Sequence, residues 1–283
     1  MSLLTNWIFL SIIAGLASNA FNFISRYILR ENEDSTAYTW FYEVTRFFAF
    51  AFIAIFDWKL ILTFSSFIIF TLLGVTDGIA AYWYMKMHQH AHLSISAILS
   101  RTRLIWVPII AFFLIRESLT IPEYLGIIIL FAGLSVVVSP KKLFIDKGAL
   151  YANLSAFVIA INIVLTKMAL PYGSNGVING ATALLPAMLF PFIIPNSVPR
   201  LKQIFKKNLV IKLCAIAFNV ISIYVFTAAL RFGDSGKVTA IYQGMIIVSI
   251  LAGIIFLKEK ADISKKLTGA AITIIGVVIL SIY

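Results

Sequence analysis

FFLIRESLTIPEYLGIIILFAGLSVVV, residues 112–138, is a hydrophobic segment ending in a basic–acidic pair, then a polar turn, then a second hydrophobic segment with glycines seven apart. The same plan returns as GIIFLKEKADISKKLTGAAITIIGVVIL, residues 253–280. Glu117 aligns with Glu259, Gly126 with Gly269 and Gly133 with Gly276, with one residue inserted after the second glutamate. Upstream, the register sets Asp77 beside Asn219, Tyr82 beside Tyr224 and Arg101 beside Gln243. The chain therefore reads as two copies of one unit, 1–143 and 144–283.

The composition says what solvent surrounds those copies. Hydrophobic residues make up 61% of the 283, too many for a water-soluble surface. In lipid every backbone polar group must be satisfied internally, which leaves helices or closed barrels. Barrel strands would alternate over roughly ten residues; here the apolar runs are continuous for roughly twenty, the length of a spanning helix. Charged and turn-forming connectors divide the chain into ten such spans. They are Leu3–Tyr27, Ala37–Phe56, Leu60–Met85, Leu93–Ile115, Pro122–Val138, Gly148–Met168, Val177–Ile194, Leu209–Phe232, Val238–Leu257 and Leu267–Tyr283. The expected fold is an all-α integral membrane protein of ten transmembrane helices. A five-span unit has an odd number of crossings, so its two copies face opposite ways. Inverted repeats of this kind place their site near the bilayer midplane, where the halves meet.

The remaining bulk features are quickly placed. The formal charge of +11 sits in short connectors, where it orients spans in the membrane and does not call for nucleic acid. Cys214 is the single cysteine, which excludes an internal disulfide and a cysteine-built metal site. The first apolar run lacks a basic leader and a small-residue cleavage site, and reads as a retained span. The longest connector, Pro195–Asn208, is too short for an extramembrane domain.

The paired motifs Arg116-Glu117 with Gly126 and Gly133, and Lys258-Glu259 with Gly269 and Gly276, resemble those of the EamA-type drug/metabolite transporters. Pro108, nine residues before Glu117, and Arg46 in the second span fit the same pattern. The second copy departs from it at Ile250, which replaces the proline, and the stretch His88-Gln89-His90-Ala91-His92 is foreign to it. The resemblance implies a ten-helix inverted-repeat carrier, commonly an exporter of amino acids or other metabolites, with no cofactor. It implies termini inside the cytoplasm. The charge count implies the reverse: five basic residues lie in connectors on the N-terminal side and fifteen on the other. Orientation stays open.

Charges inside spans each cost on the order of 2.5–3.5 kcal/mol at a helix centre, so they mark candidate sites. Glu43 and Arg46, three apart, meet on one face of span two. They serve either as a self-neutralised structural pair or as a substrate-facing pair in which Glu43 titrates. Asp77 has no partner on its own helix, and Gly74 and Gly78 let a neighbouring helix approach it. It is a candidate for a proton or a substrate amine, and alternatively a partner of Arg101. Arg101 and Arg103 point in different directions; Arg101, whose repeat mate Gln243 is polar, is assigned to cargo and Arg103 to structure. Asn22, Asn162, Asn219, Gln243, Tyr82 and Tyr224 complete the candidate substrate or proton site, with Asn179 and Tyr242 as further lining. The aromatic members also suit the membrane interface. His88 and His92 share a helix face at zinc-pair spacing but lack an acidic helper, so the triplet reads as a solvated span end. The repeat glycines are packing surfaces, available to a neighbouring helix or to a second copy of the chain. Thr120 with Glu123 forms a capping box opening span five.

The expected function is a secondary transporter exporting a small metabolite such as an amino acid by alternating access, in a plasma (inner) membrane. No P-loop motif is present for direct use of ATP, and no nucleophile or metal constellation supports an intramembrane enzyme. The alternative is a flippase for a lipid-linked sugar or phosphate, since the arginines of span four suit an anionic head group.

Overall fold

Polar residues at the span ends start the helices. In the computed structural model, which describes residues 5–30, 34–90, 99–138, 147–248 and 262–282, Asn6 accepts from the amides of Ile8 and Phe9 at 3.0 and 3.2 Å and opens α1, Trp7–Arg30. Asp34 caps α2, Ser35–Asp57, by accepting from Thr36 and Ala37. Thr63 and Ser66 exchange side-chain and amide bonds ahead of α3, Phe64–His90. A 3₁₀ turn, Ser100–Thr102, leads into α4, Arg103–Ile115. The amide of Thr120 donates to Glu123, the returning half of the capping box, and α5 covers Ile121–Val138.

The second unit repeats this order with α6, Lys147–Ala169; α7, Asn175–Ile193; α9, Leu209–Phe232; α10, Ser235–Gly244; and α11, Ile263–Ile282. Between α7 and α9 the expected connector is itself a short helix, α8, Ser197–Lys206. It is flanked by Asn196 and Asn208 in the left-handed conformation that asparagine tolerates. Its apolar side buries Ile204, and its other side carries Lys202 and Lys206. Among the described residues this connector departs from the expected plan. Seven of the helices are long and apolar enough to cross a membrane; α4, α5 and α10 are shorter within the described residues. The rest of the ninth span, with Ile250, Lys258 and Glu259, lies outside those residues, as do the side chains of His88 and His90 and all of His92.

Helix pairing follows the repeat. The most extensive contacts are α1 with α9, α3 with α6, α2 with α7, and α5 with α11. Exchanging the two units maps the first pair onto the second and returns the last two onto themselves. Each main contact therefore joins one half to the other. At the α5–α11 crossing the four repeat glycines face one another: a Cβ on Gly269 would fall 2.6 Å from the carbonyl oxygen of Gly133, and one on Gly276 would fall 2.8 Å from that of Gly126. These surfaces are taken up within the chain, which removes the reason for expecting a second copy there.

Outward faces are apolar, with Phe48, Phe52 and Phe56 of α2 more than 60% exposed, as suits hydrocarbon. Inside, one apolar cluster gathers Phe21, Ile28, Phe41, Met85 and Ile216, and another gathers Leu10, Leu73, Val107, Ile178 and Leu230. A polar layer lies between them.

Candidate functional site

Seven helices bring charge and amide groups into that layer. On α2, one turn separates Tyr42 from Arg46, and Glu43 lies three residues before the arginine, so all three crowd one stretch of helix. The Nη1 atom of Arg46 is 3.2 Å from Glu43 Oε2, 3.1 Å from Asp77 Oδ2 of α3, and 3.0 Å from the Tyr42 hydroxyl. Tyr42 in turn donates to Asn219 Oδ1 of α9 at 3.0 Å, and its ring lies under the guanidinium. Two carboxylates thus share one cation. Glu43 is fully buried behind it, whereas the Asp77 side chain keeps 16% of its surface accessible. Asp77 is the member that faces open space.

That space is a cavity of about 150 Å³ at the junction of the two units. Arg46, Asp77 and Asn219 form one wall. Arg103 borders the same space, and its guanidinium sits 5.7 Å from the centre of the Tyr242 ring. Ser18 accepts from Tyr242 at 2.7 Å, and Asn22 accepts from Tyr84 at 2.6 Å. Asn162 donates to Leu73 O and to Thr76, crossing from α6 to α3. Thr227 donates to Asn179 at 3.0 Å. The cavity therefore offers one partly free carboxylate, one guanidinium not held in an ion pair among the described residues, and a ring of amides and hydroxyls. Such a donor set suits a small molecule carrying both charges or several polar groups. No group of three or more metal-binding side chains occurs among the described residues.

Of the residues chosen from sequence, Asp77, Arg46, Asn22, Asn162 and Asn219, with Asn179 and Tyr242 of the further lining, border this cavity, and Glu43 stands directly behind. The others lie elsewhere. Arg101 donates to the backbone carbonyl of its repeat mate Gln243 at 3.0 Å, and both are buried away from the opening. Asp77 meets Arg46, not Arg101. Tyr82 faces outward, beneath Lys86, and Tyr224 donates to Asp57 at 3.3 Å. Arg103, read as structural, is the arginine that borders the cavity. Tyr42, Tyr84 and Ser18 were not chosen, although spacing points to each: Tyr42 is one turn before Arg46, Ser18 one turn before Asn22, and Tyr84 two turns after Asp77.

One end of the bundle is tied by polar bonds, some between the units and some within the second unit. Asp57 accepts from the Gly176 amide at 3.1 Å, and Arg231 donates to Leu170 O, Gly173 O and Asn175. Lys167 donates to Leu230 O and Gly233 O and lies 3.6 Å from Glu117. Glu117 accepts from the Ser235 amide at 2.8 Å, and Lys237 bridges Glu123 and Asp234.

Comparison with known proteins agrees with this two-unit architecture. The model of the EamA-like transporter family matches twice, at residues 5–139 and 146–282. A solved structure titled "Crystal structure of protein" superposes with a TM-score of 0.71 at 14% identity, covering 96% of this chain and 98% of that one, a likeness of fold alone. No curated protein matches.

Proposed function

The chain belongs to the EamA-like transporter family, multi-pass membrane transporters of small solutes, and from that premise we propose that it is a secondary carrier exporting a small metabolite, with an amino acid as the leading class. The observation that carries this reading is the cavity at the junction of the two units, bordered by both Asp77 and Arg103. A carboxylate and a guanidinium facing one space complement an ammonium and a carboxylate on one small molecule. Alternating access accounts for the rest. The halves meet around the cavity, one end is tied by bonds between units, and rocking would exchange which end is closed. The two repeats correspond to 1–143 and 144–283. The Glu43–Arg46–Asp77 group gives the site a place to hold a proton, because two carboxylates that share one cation need not both be ionised. A lipid-linked cargo draws less support: of the arginine pair that favoured it, Arg103 borders the cavity, while Arg101 lies outside its lining and donates to the backbone of Gln243.

Counterflow in proteoliposomes, with a pooled panel of amino acids and small metabolites, tests the reading. Saturable exchange by the wild type, reduced at least about tenfold in Asp77→Asn and in Arg103→Gln, is expected, since each change removes an interaction worth about 1.4 kcal/mol or more. Exchange unaffected by both substitutions would place the cargo site elsewhere.

A further inference from the structure

A second cavity, of about 480 Å³, lies on the outer side of α2 and α3, away from the polar layer. Gly78 borders it, and the absence of a side chain there lets Pro186 of α7 pack close, since a Cβ would fall 3.1 Å from the Pro186 Cβ. Its walls are apolar: Ile79, Phe190, Ile193 and Ile194. Ile79 and Ile193 are 41% and 67% exposed, so the groove opens toward the surroundings of the bundle, where the bilayer lies. Its upper end has a different chemistry. Thr36, Thr39 and Arg200 border it there, with Tyr82 and Trp83 alongside. Lys86 sits 5.8 Å over the Tyr82 ring and brings a second cation to the same rim.

Arg200 is held in place and is not used up. Asp34 takes two of its N–H groups, through Nε and Nη2, and Pro195 O takes one at Nη1. A guanidinium has five, so two remain to donate. Asp34 cancels one charge and leaves the Arg200–Lys86 rim at net +1. Behind it, α8 adds Lys202 and Lys206, both exposed, and Lys207 follows. An amphipathic helix with basic residues on its polar side lies in the plane of a membrane interface and attracts anionic lipid.

We propose that this groove is a binding site for one anionic phospholipid, with an acyl chain along Ile79, Phe190, Ile193 and Ile194 and the phosphodiester at Arg200 and Lys86. The charge at the rim, the apolar walls below it and the opening toward the bilayer specify the occupant together. A soluble anion would leave the walls uncovered, and a zwitterionic lipid would bring its own ammonium to a rim that is already cationic. The tyrosine and tryptophan at the rim are the residue types that settle at headgroup level. The site is separate from the cargo cavity: on α3, Gly78, Ile79, Tyr82 and Trp83 lie on the face away from Asp77, Ala80, Ala81 and Tyr84. Its occupancy joins α3 to α7 and α8, and through them one unit to the other.

The test uses the full chain in detergent, titrated with phosphatidylglycerol or phosphatidylcholine and read by native mass spectrometry. Lys86→Gln removes a cation without touching the Asp34–Arg200 pair, and Ile79→Trp fills the groove without altering charge. Circular dichroism and unfolding temperature before lipid addition confirm that both variants are folded. The expected result is phosphatidylglycerol retained by the wild type in preference to phosphatidylcholine. Retention should fall about fivefold in Lys86→Gln, the worth of one cation near a lipid surface, and to background in Ile79→Trp. Equal retention of both lipids would overturn the anionic assignment. Preferential retention unchanged in both variants would overturn the location. Since the readout is lipid mass, it stands or falls independently of any transport assay.

Discussion

Arg46 is the most consequential side chain in the molecule. It is 2% exposed and serves two carboxylates and a hydroxyl. Removing one partner of a buried ion pair leaves the other charged and uncompensated, a loss of about 3–5 kcal/mol. Arg46→Leu is therefore expected to lower the unfolding temperature sharply, while Asp77→Asn leaves Glu43 as counter-ion and keeps an acceptor in place. Thermal unfolding of both variants in detergent separates the two: a destabilisation of Asp77→Asn as large as that of Arg46→Leu would contradict this account. The Glu43–Arg46 half of the group was legible from a spacing of three on one helix. The Asp77 half was not, because the register of α2 against α3 depends on packing. The two arginines of span four were separable only in three dimensions. The 3₁₀ turn at Ser100–Thr102 winds at about 3.0 residues per turn, so Arg101 and Arg103 leave the helix axis at angles that α-helical counting does not give.

At the scale of elements, the α5–α11 crossing and the start of α2 make measurable claims. The Gly133 and Gly269 positions have no room for a Cβ, since a backbone atom would lie 2.6 Å away at each, Thr273 N at the first and Gly133 O at the second. Gly269→Val is expected to destabilise by about 1–3 kcal/mol, the usual range for overpacking, and scanning calorimetry or denaturant titration would show it. At the other element, burial raises the Asp34 carboxyl, but Arg200 and the amides of Thr36 and Ala37 overcome that and hold it below its ordinary value. A carboxylate with a depressed folded-state pKa contributes stability above its unfolded pKa, near 3.9, and loses it as pH falls through the folded value. Stability should therefore decline on acidification below about pH 4–5, and the decline should be smaller in Asp34→Asn. An identical acid limb in wild type and Asp34→Asn would show that the pair contributes nothing. Helix existence and rough ends were legible from hydrophobic run length and polar caps. The short helix α8 was not, because ten residues flanked by left-handed asparagines read as a charged connector.

For the whole molecule, the question is which end opens. The bonds among Glu117, Ser235, Lys167, Lys237 and Asp57 tie the units together at one end. A carrier that alternates must break them in each cycle. A Glu117→Cys/Ser235→Cys pair, in a Cys214→Ser background, is expected to cross-link on oxidation and to stop counterflow until reduced. Undiminished exchange by the cross-linked protein would mean that this end stays shut. The two-unit plan itself was legible in the recurring glutamate and glycines, whereas the mutual pairing of helices across the units was not, since sequence order says nothing about which helix lies beside which. That pairing has a bearing on biogenesis. Helices α1, α2, α3 and α5 have their main partners in the half that is synthesised later. At roughly 5–20 residues per second, the first half waits in the bilayer on the order of ten seconds before its partners emerge. Glu43, Arg46 and Asp77 all belong to that early half and can pair before the second is made, so the nascent chain holds a net charge of −1, or none once one carboxylate takes a proton, in place of three bare charges in lipid while translation finishes.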